Sequence, residues 1–112
     1  MTNGVALYDR GEAIAQLGGD ETLFNEMAMV FQEEKASYCQ ALQEALAVSD
    51  TATLQREAHT VKSVFAALAC ETGRRVAFEL EQLAATGELA GADRLTDIVV
   101  DTLDRLAGEL GG

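Results

Sequence analysis

The sequence predicts an all-α protein, an antiparallel four-helix bundle with a short extra N-terminal helix. The expectation follows from three features. Proline is absent from all 112 residues, and the ten glycines leave positions 20 to 72 free of both strong helix breakers. Apolar residues recur at three-to-four spacing along four long segments. No segment alternates apolar and polar residues as a half-buried strand would.

A short first helix is expected over residues 9 to 17, stopping at Gly18-Gly19. Asp20 then stands where an N-cap belongs, because its carboxylate can accept from the free N–H groups of a first turn. The long helix that starts there carries Leu23, Met27, Val30, Phe31, Tyr38, Leu42, Ala45 and Leu46 as its apolar positions. Glu33-Glu34-Lys35 interrupts that stripe, so a kink or short break is expected near 33 to 37. Ser49-Asp50-Thr51 is a cluster of helix starters, and the stripe Leu54, Ala58, Val61, Phe65, Leu68 begins directly after it. Thr72-Gly73 is read as resetting the chain for a helix with Val76, Leu80, Leu83 and Ala84, which ends near residue 86 with Gly87 past its C-terminus. After Gly91, Leu95, Ile98, Val99, Thr102, Leu103 and Leu106 repeat with helical period up to Gly108. Four amphipathic helices with short connections bury their stripes by packing antiparallel. No linker or internal repeat appears, so residues 1–112 are read as one domain.

Hydrophobic residues make up 48% of the chain and charged residues 24%, the balance of a soluble globular domain and not of a disordered or collagen-like one. The longest apolar run, Val64 to Cys70, is far short of the roughly 20 residues that cross a bilayer. The start Met1-Thr2-Asn3-Gly4 has no secretory pattern. Cys39 and Cys70 make no C-x-x-C pair, so reduced thiols and a cytoplasmic setting are expected, with no structural metal. Eight Lys+Arg against 19 Asp+Glu leave a net charge of -11, the wrong sign for binding nucleic acid. Residues 52 to 78 are the exception. Arg56, Lys62, Arg74 and Arg75 against Glu57 and Glu71 make that stretch net +2, leaving -13 elsewhere, and it holds the single histidine. A local anion site is expected there.

At about 100° per residue, Gln55, Arg56, Lys62, Ser63 and Ala66 share the face of His59, while Leu54, Val61, Phe65 and Leu68 lie nearly opposite. His59 is therefore expected at the surface. A lone histidine is most often an ordinary solvated or packed residue, but this one has Lys62 one turn along and the small Ser63 and Ala66 around it. A neutral imidazole, with an unperturbed pKa near 6.5, is a nucleophile toward phosphorus at neutral pH. There is no G-x-x-x-x-G-K-[ST] loop, no H-E-x-x-H and no Glu-x-x-His pair, so no nucleotide site, no metal, no cofactor and no autonomous kinase activity are expected. Met27 and Met29 read as core filling, Tyr38 and Phe78 as packing residues, and Glu33-Glu34 as a solvated face. Cys70 is placed on the His59 face, about 16 Å of helix rise away, too far to share a metal.

The stretch Ala58-His59-Thr60-Val61-Lys62-Ser63-Val64-Phe65-Ala66-Ala67-Leu68-Ala69 resembles the phosphorylation-site helix of histidine-containing phosphotransfer (HPt) domains, whose usual form reads A-H-x-[LI]-K-G followed by small residues. Gly18-Gly19-Asp20-Glu21 with Leu23 is similar to the family's opening helix start, Val30-Phe31 to its apolar-Phe pair, and Leu80-Glu81 to the Leu-Glu of its next helix. Ser63 stands where glycine is usual and Ala69 where a second glycine often occurs; both are small. The resemblance implies a four-helix bundle in which His59 is the phosphoacceptor and Lys62 lies beside the phosphoryl group. It implies a phosphocarrier between receiver-domain aspartates, with response regulator receiver domains and a hybrid histidine kinase as partners. Gln55, Arg56, Ser63 and Ala66 are then the expected docking residues, Mg²⁺ belongs to the receiver, and a monomer suffices. Two other readings stand beside it: a helical adaptor that binds the same partners without chemistry, and the substrate domain of a chemotaxis-type kinase. The initiating methionine and short tail favour a free-standing protein over a piece of a hybrid kinase.

Overall fold

The computed structural model describes residues 6–111, and the start Met1 to Gly4 lies outside them. Five helices form: α1 (Arg10–Gln16), α2 (Glu21–Ala47), α3 (Thr51–Ala67), α4 (Glu71–Ala85) and α5 (Ala92–Gly111). There is no strand among the described residues. Three helices start alike. Asp9, Asp20 and Asp50 each turn a carboxylate back onto the N–H three residues on, at Glu12, Leu23 and Thr53, which satisfies a donor that the first turn leaves free.

Sequential helices pack as neighbours and α5 returns to α2, which closes a four-helix ring with α1 set against α2. The cross-contacts give the directions. Lys35 meets Asp104 and Gln32 Nε2 donates to the Ala107 carbonyl, so α2 and α5 run antiparallel. His59 meets Glu81 while Phe65 meets Gly73, so α3 and α4 do too. The core inside the ring is built from Phe24, Phe31 and Leu42 of α2, Leu54, Val61 and Phe65 of α3, Leu80 of α4, and Val99, Leu103 and Leu106 of α5. Leu68, in the turn after α3, is buried with them.

Five expectations are corrected. No kink interrupts α2, a single helix of 27 residues. Its stripe runs through Phe24, Phe31, Tyr38 and Ala45 at seven-residue intervals, Glu33 and Glu34 point to solvent, and Lys35 pairs with Asp104 at 2.7 Å. The charged triplet therefore occupies the outer side of a continuous turn, while the Phe31 and Tyr38 rings meet across it at 6.5 Å. Phe24 takes the inner position, and Leu23 and Val30 are exposed.

Gly73 does not reset the chain. It lies buried in the first turn of α4, where a Cβ would collide with the Phe65 ring, so the missing side chain lets that ring sit directly on the α4 backbone. The reset falls earlier, at Ala69, whose φ of 55° is left-handed. Because α3 ends at Ala67, its helical wheel does not extend to Cys70, which is the buried N-cap residue of α4 and not part of the histidine face. Finally, α5 continues through Gly108 to Gly111. Gly87, with φ of 78°, follows the end of α4 as expected.

Candidate functional site

Leu54, Ala58, Val61 and Phe65 fix which side of α3 faces the core, and His59, one residue past Ala58, is turned outward with 59% of its side chain exposed. On α4 the buried positions are Ala77, Leu80 and Ala84. Glu81 follows Leu80 and lies between the two alanines on the edge that faces α3, with only 14% of its side chain exposed. The two helices bring these groups together. His59 Nδ1 lies 2.8 Å from Glu81 Oε2, and Lys62 Nζ, one turn further along α3, lies 2.7 Å from Glu81 Oε1. The same ammonium sits 5.2 Å over the ring centroid of Phe78, one turn before Glu81 on α4.

One carboxylate thus bridges the imidazole and the ammonium. Burial opposes ionisation of Glu81, but the hydrogen bonds from Lys62 and His59 and their charges outweigh it, so its pKa lies below the ordinary 4.5. At neutral pH Glu81 is a carboxylate and can only accept hydrogen bonds. Nδ1 must then carry the ring hydrogen, which leaves the lone pair on Nε2. A mostly exposed ring with its hydrogen fixed on one nitrogen presents the other as a nucleophile.

The expected site residues divide. Gln55 and Arg56 line a shallow depression with Ala52, His59 and Glu81. Lys62 is on the histidine's face as expected, but its ammonium is drawn across to α4 and not left free beside the ring. Ser63 is exposed next to His59, with its hydroxyl turned back to donate to the His59 carbonyl at 3.2 Å. Ala66 does not join the depression; it is half-buried near α1, and its carbonyl accepts from Gln16 Nε2 at 3.4 Å. Of the positive stretch, Arg74 is tied to Glu71 and Lys62 to Glu81, while Arg56 and Arg75 are exposed without an ion pair among the described residues.

Two residues escaped the sequence reading as site members. Phe78 was expected to pack and is 43% exposed under Lys62. Glu81 carried a detectable signal: an acid directly after a core leucine, flanked at four residues before and three after by alanines that leave room for it. Among the described residues no three His, Cys, Asp or Glu side chains are placed to hold a metal. Both cysteines are free, and burial pushes their thiols upward. No helix is long and apolar enough to cross a membrane, among the described residues.

Fold and site together define an all-helical module that presents one ring nitrogen of a surface histidine while holding the other against a carboxylate. The family model for the Hpt domain matches residues 26–109, most of the chain and all of His59, Lys62 and Glu81, and the protein belongs to the Hpt domain family. Hpt domains act in histidine phosphotransfer in two-component signalling, in contact with receiver domains and kinases. No curated protein and no solved structure matches the chain.

Proposed function

We propose that the protein is a phosphorelay carrier that accepts a phosphoryl group on His59 from a receiver-domain aspartate and delivers it to the aspartate of another. The 2.8 Å contact between Glu81 and His59 Nδ1 carries this reading, because it makes Nε2 the nucleophile. The Nε2 lone pair attacks phosphorus, the N–P bond forms, and the P–O bond to the aspartyl carboxylate breaks with its electron pair leaving on that oxygen. The ring becomes an imidazolium whose hydrogen stays on Nδ1 and remains donated to Glu81. Onward transfer reverses the step: the N–P electron pair returns to Nε2 and the starting tautomer is recovered. No proton has to be moved in either direction, so the same tautomer serves acceptance and delivery.

Lys62 supplies a cation one turn along α3 from His59, joined to it through Glu81. A phosphoryl group brings nearly two negative charges, and an ammonium one turn away stabilises it by a charge-assisted contact. Mg²⁺ is assigned to the receiver's acidic pocket, where it neutralises the same oxygens from the other side. Arg56 and Gln55, which share the depression with His59, are assigned to docking, with Ser63 beside them.

The test is incubation with purified receiver domains phosphorylated by acetyl phosphate, followed by mapping of the label. The expected result is an acid-labile, base-stable label on His59 that is absent from His59→Gln. Equal labelling of wild type and His59→Gln would overturn the assignment.

A further inference from the structure

Phe78 is a large apolar side chain that the packing of the bundle leaves uncovered. α4 buries Ala77, Leu80 and Ala84, and Phe78 lies off their face with 43% of its surface in water. The Lys62 ammonium lies 5.2 Å over the ring and is also bound to Glu81 and through it to His59. Following those contacts, the ring centroid lies within about 13 Å of His59 Nδ1, inside the roughly 16 Å radius of the 800 Å² patch that one side of an ordinary protein interface covers. A partner footprint of that size centred on His59 reaches Phe78.

We propose that Phe78 is an anchor for the receiver domain that exchanges its phosphoryl group with His59, placed on α4 beside the expected docking residues of α3. The inference rests on the reading of His59 as phosphoacceptor. Aromatic rings that become buried in a contact supply a large share of its binding energy, because they bury much area at small entropic cost. The surrounding charge suits the same partner. In a protein of net charge -11, Arg56 on one side and Arg75, one turn before Phe78, on the other are exposed and without ion pairs among the described residues. A domain whose reacting aspartate sits in an acidic pocket meets least repulsion here.

The experiment measures phosphoryl transfer from phosphorylated receiver domains to the full chain, with KM and kcat resolved, for wild type, Phe78→Ala and Phe78→Leu. Helicity is checked for each. The expected outcome is a KM for the receiver raised about tenfold or more in Phe78→Ala with kcat within about twofold of wild type, and most of that affinity recovered in Phe78→Leu, which keeps the apolar contact without an aromatic face. An unchanged KM in Phe78→Ala overturns the proposal. So does a fall in kcat of similar size in both variants, which would assign the ring to holding Lys62. A wild-type chain that takes no label from any receiver or from phosphoramidate, a donor small enough to need no docking, fails at the reading of His59 instead and takes this inference with it.

Discussion

Glu81 Oε2 lies 2.8 Å from His59 Nδ1 across the seam between α3 and α4, while Oε1 of the same carboxylate holds Lys62. The carboxylate is thus shared between the group assigned to the chemistry and the group assigned to its charge. Removing it affects both.

Glu81→Ala is expected to slow labelling of His59 by about 10- to 150-fold, the rate equivalent of losing a charged hydrogen bond of roughly 1.5 to 3 kcal/mol. Glu81→Gln should lose less, because its amide oxygen still accepts from Nδ1. The ion pairs also predict a pH dependence of stability. Glu81 has a folded pKa below its ordinary 4.5, so its contribution is present above that value and is lost as pH falls through the folded pKa. Urea unfolding of wild type and Glu81→Gln at pH 7 and pH 3 checks the sign: the wild-type advantage should shrink at pH 3, and a constant gap would show that the carboxylate is not held ionised.

Lys62→Ala should slow transfer about tenfold, corresponding to about 1.4 kcal/mol of transition-state stabilisation, with the fold intact and some His59 labelling retained. The ammonium contacts the Glu81 carboxylate and the Phe78 face, neither of which is core, so helicity should not change. Rates equal to wild type with several receivers would assign Lys62 to solvating the helix.

The bundle was legible because helix period and breakers are local properties: the stripes of α3 and α5 and the caps Asp20 and Asp50 are found where spacing and residue type place them. The outward direction of His59 followed from the same periodicity. Three of the features that were missed share a physical cause, which is that they depend on a second helix. Glu33-Glu34-Lys35 looks like a break until Asp104 of α5 is there to pair Lys35. Gly73 looks like a turn until Phe65 of α3 needs its space. Glu81 is one acid among 19 until His59 and Lys62 arrive from α3.

Gly73→Ala separates the two readings of that glycine. In an exposed helix the change would stabilise by about 1 kcal/mol. Here the added methyl meets Phe65 Cδ1, Cε1 and Cγ, and Phe65 is fully buried, so the ring has no free space to retreat into. A net loss of about 1 to 3 kcal/mol is expected from overpacking. Phe65→Ala alone should cost about 3 to 5 kcal/mol, and the double variant should cost clearly less than the two losses together, because the methyl then enters the space the ring vacated. Additive losses in chemical unfolding would show that the two residues do not share that space.

Ala69 offers the opposite test. It joins α3 to α4 with φ of 55°, a conformation in which an L side chain crowds the following carbonyl at a cost of about 1 to 2 kcal/mol, while glycine adopts it freely. The turn is nevertheless well determined: the Ala69 carbonyl accepts from the Asp9 N–H at 3.0 Å and the Cys70 N–H donates to the Phe65 carbonyl at 2.8 Å, so the backbone cannot relax away from the strain. Glycine at this position removes the crowding but gives the unfolded chain more freedom, an opposing effect of about 0.4 to 1 kcal/mol. The strain is the larger of the two. Ala69→Gly should therefore stabilise by about 0.5 to 1 kcal/mol and raise Tm by a few degrees, without changing the rate of His59 labelling, since residue 69 lies past the end of α3, nearly three turns beyond His59. A lower Tm for Ala69→Gly would show that the left-handed residue carries no strain and that the methyl group contributes to packing at the turn.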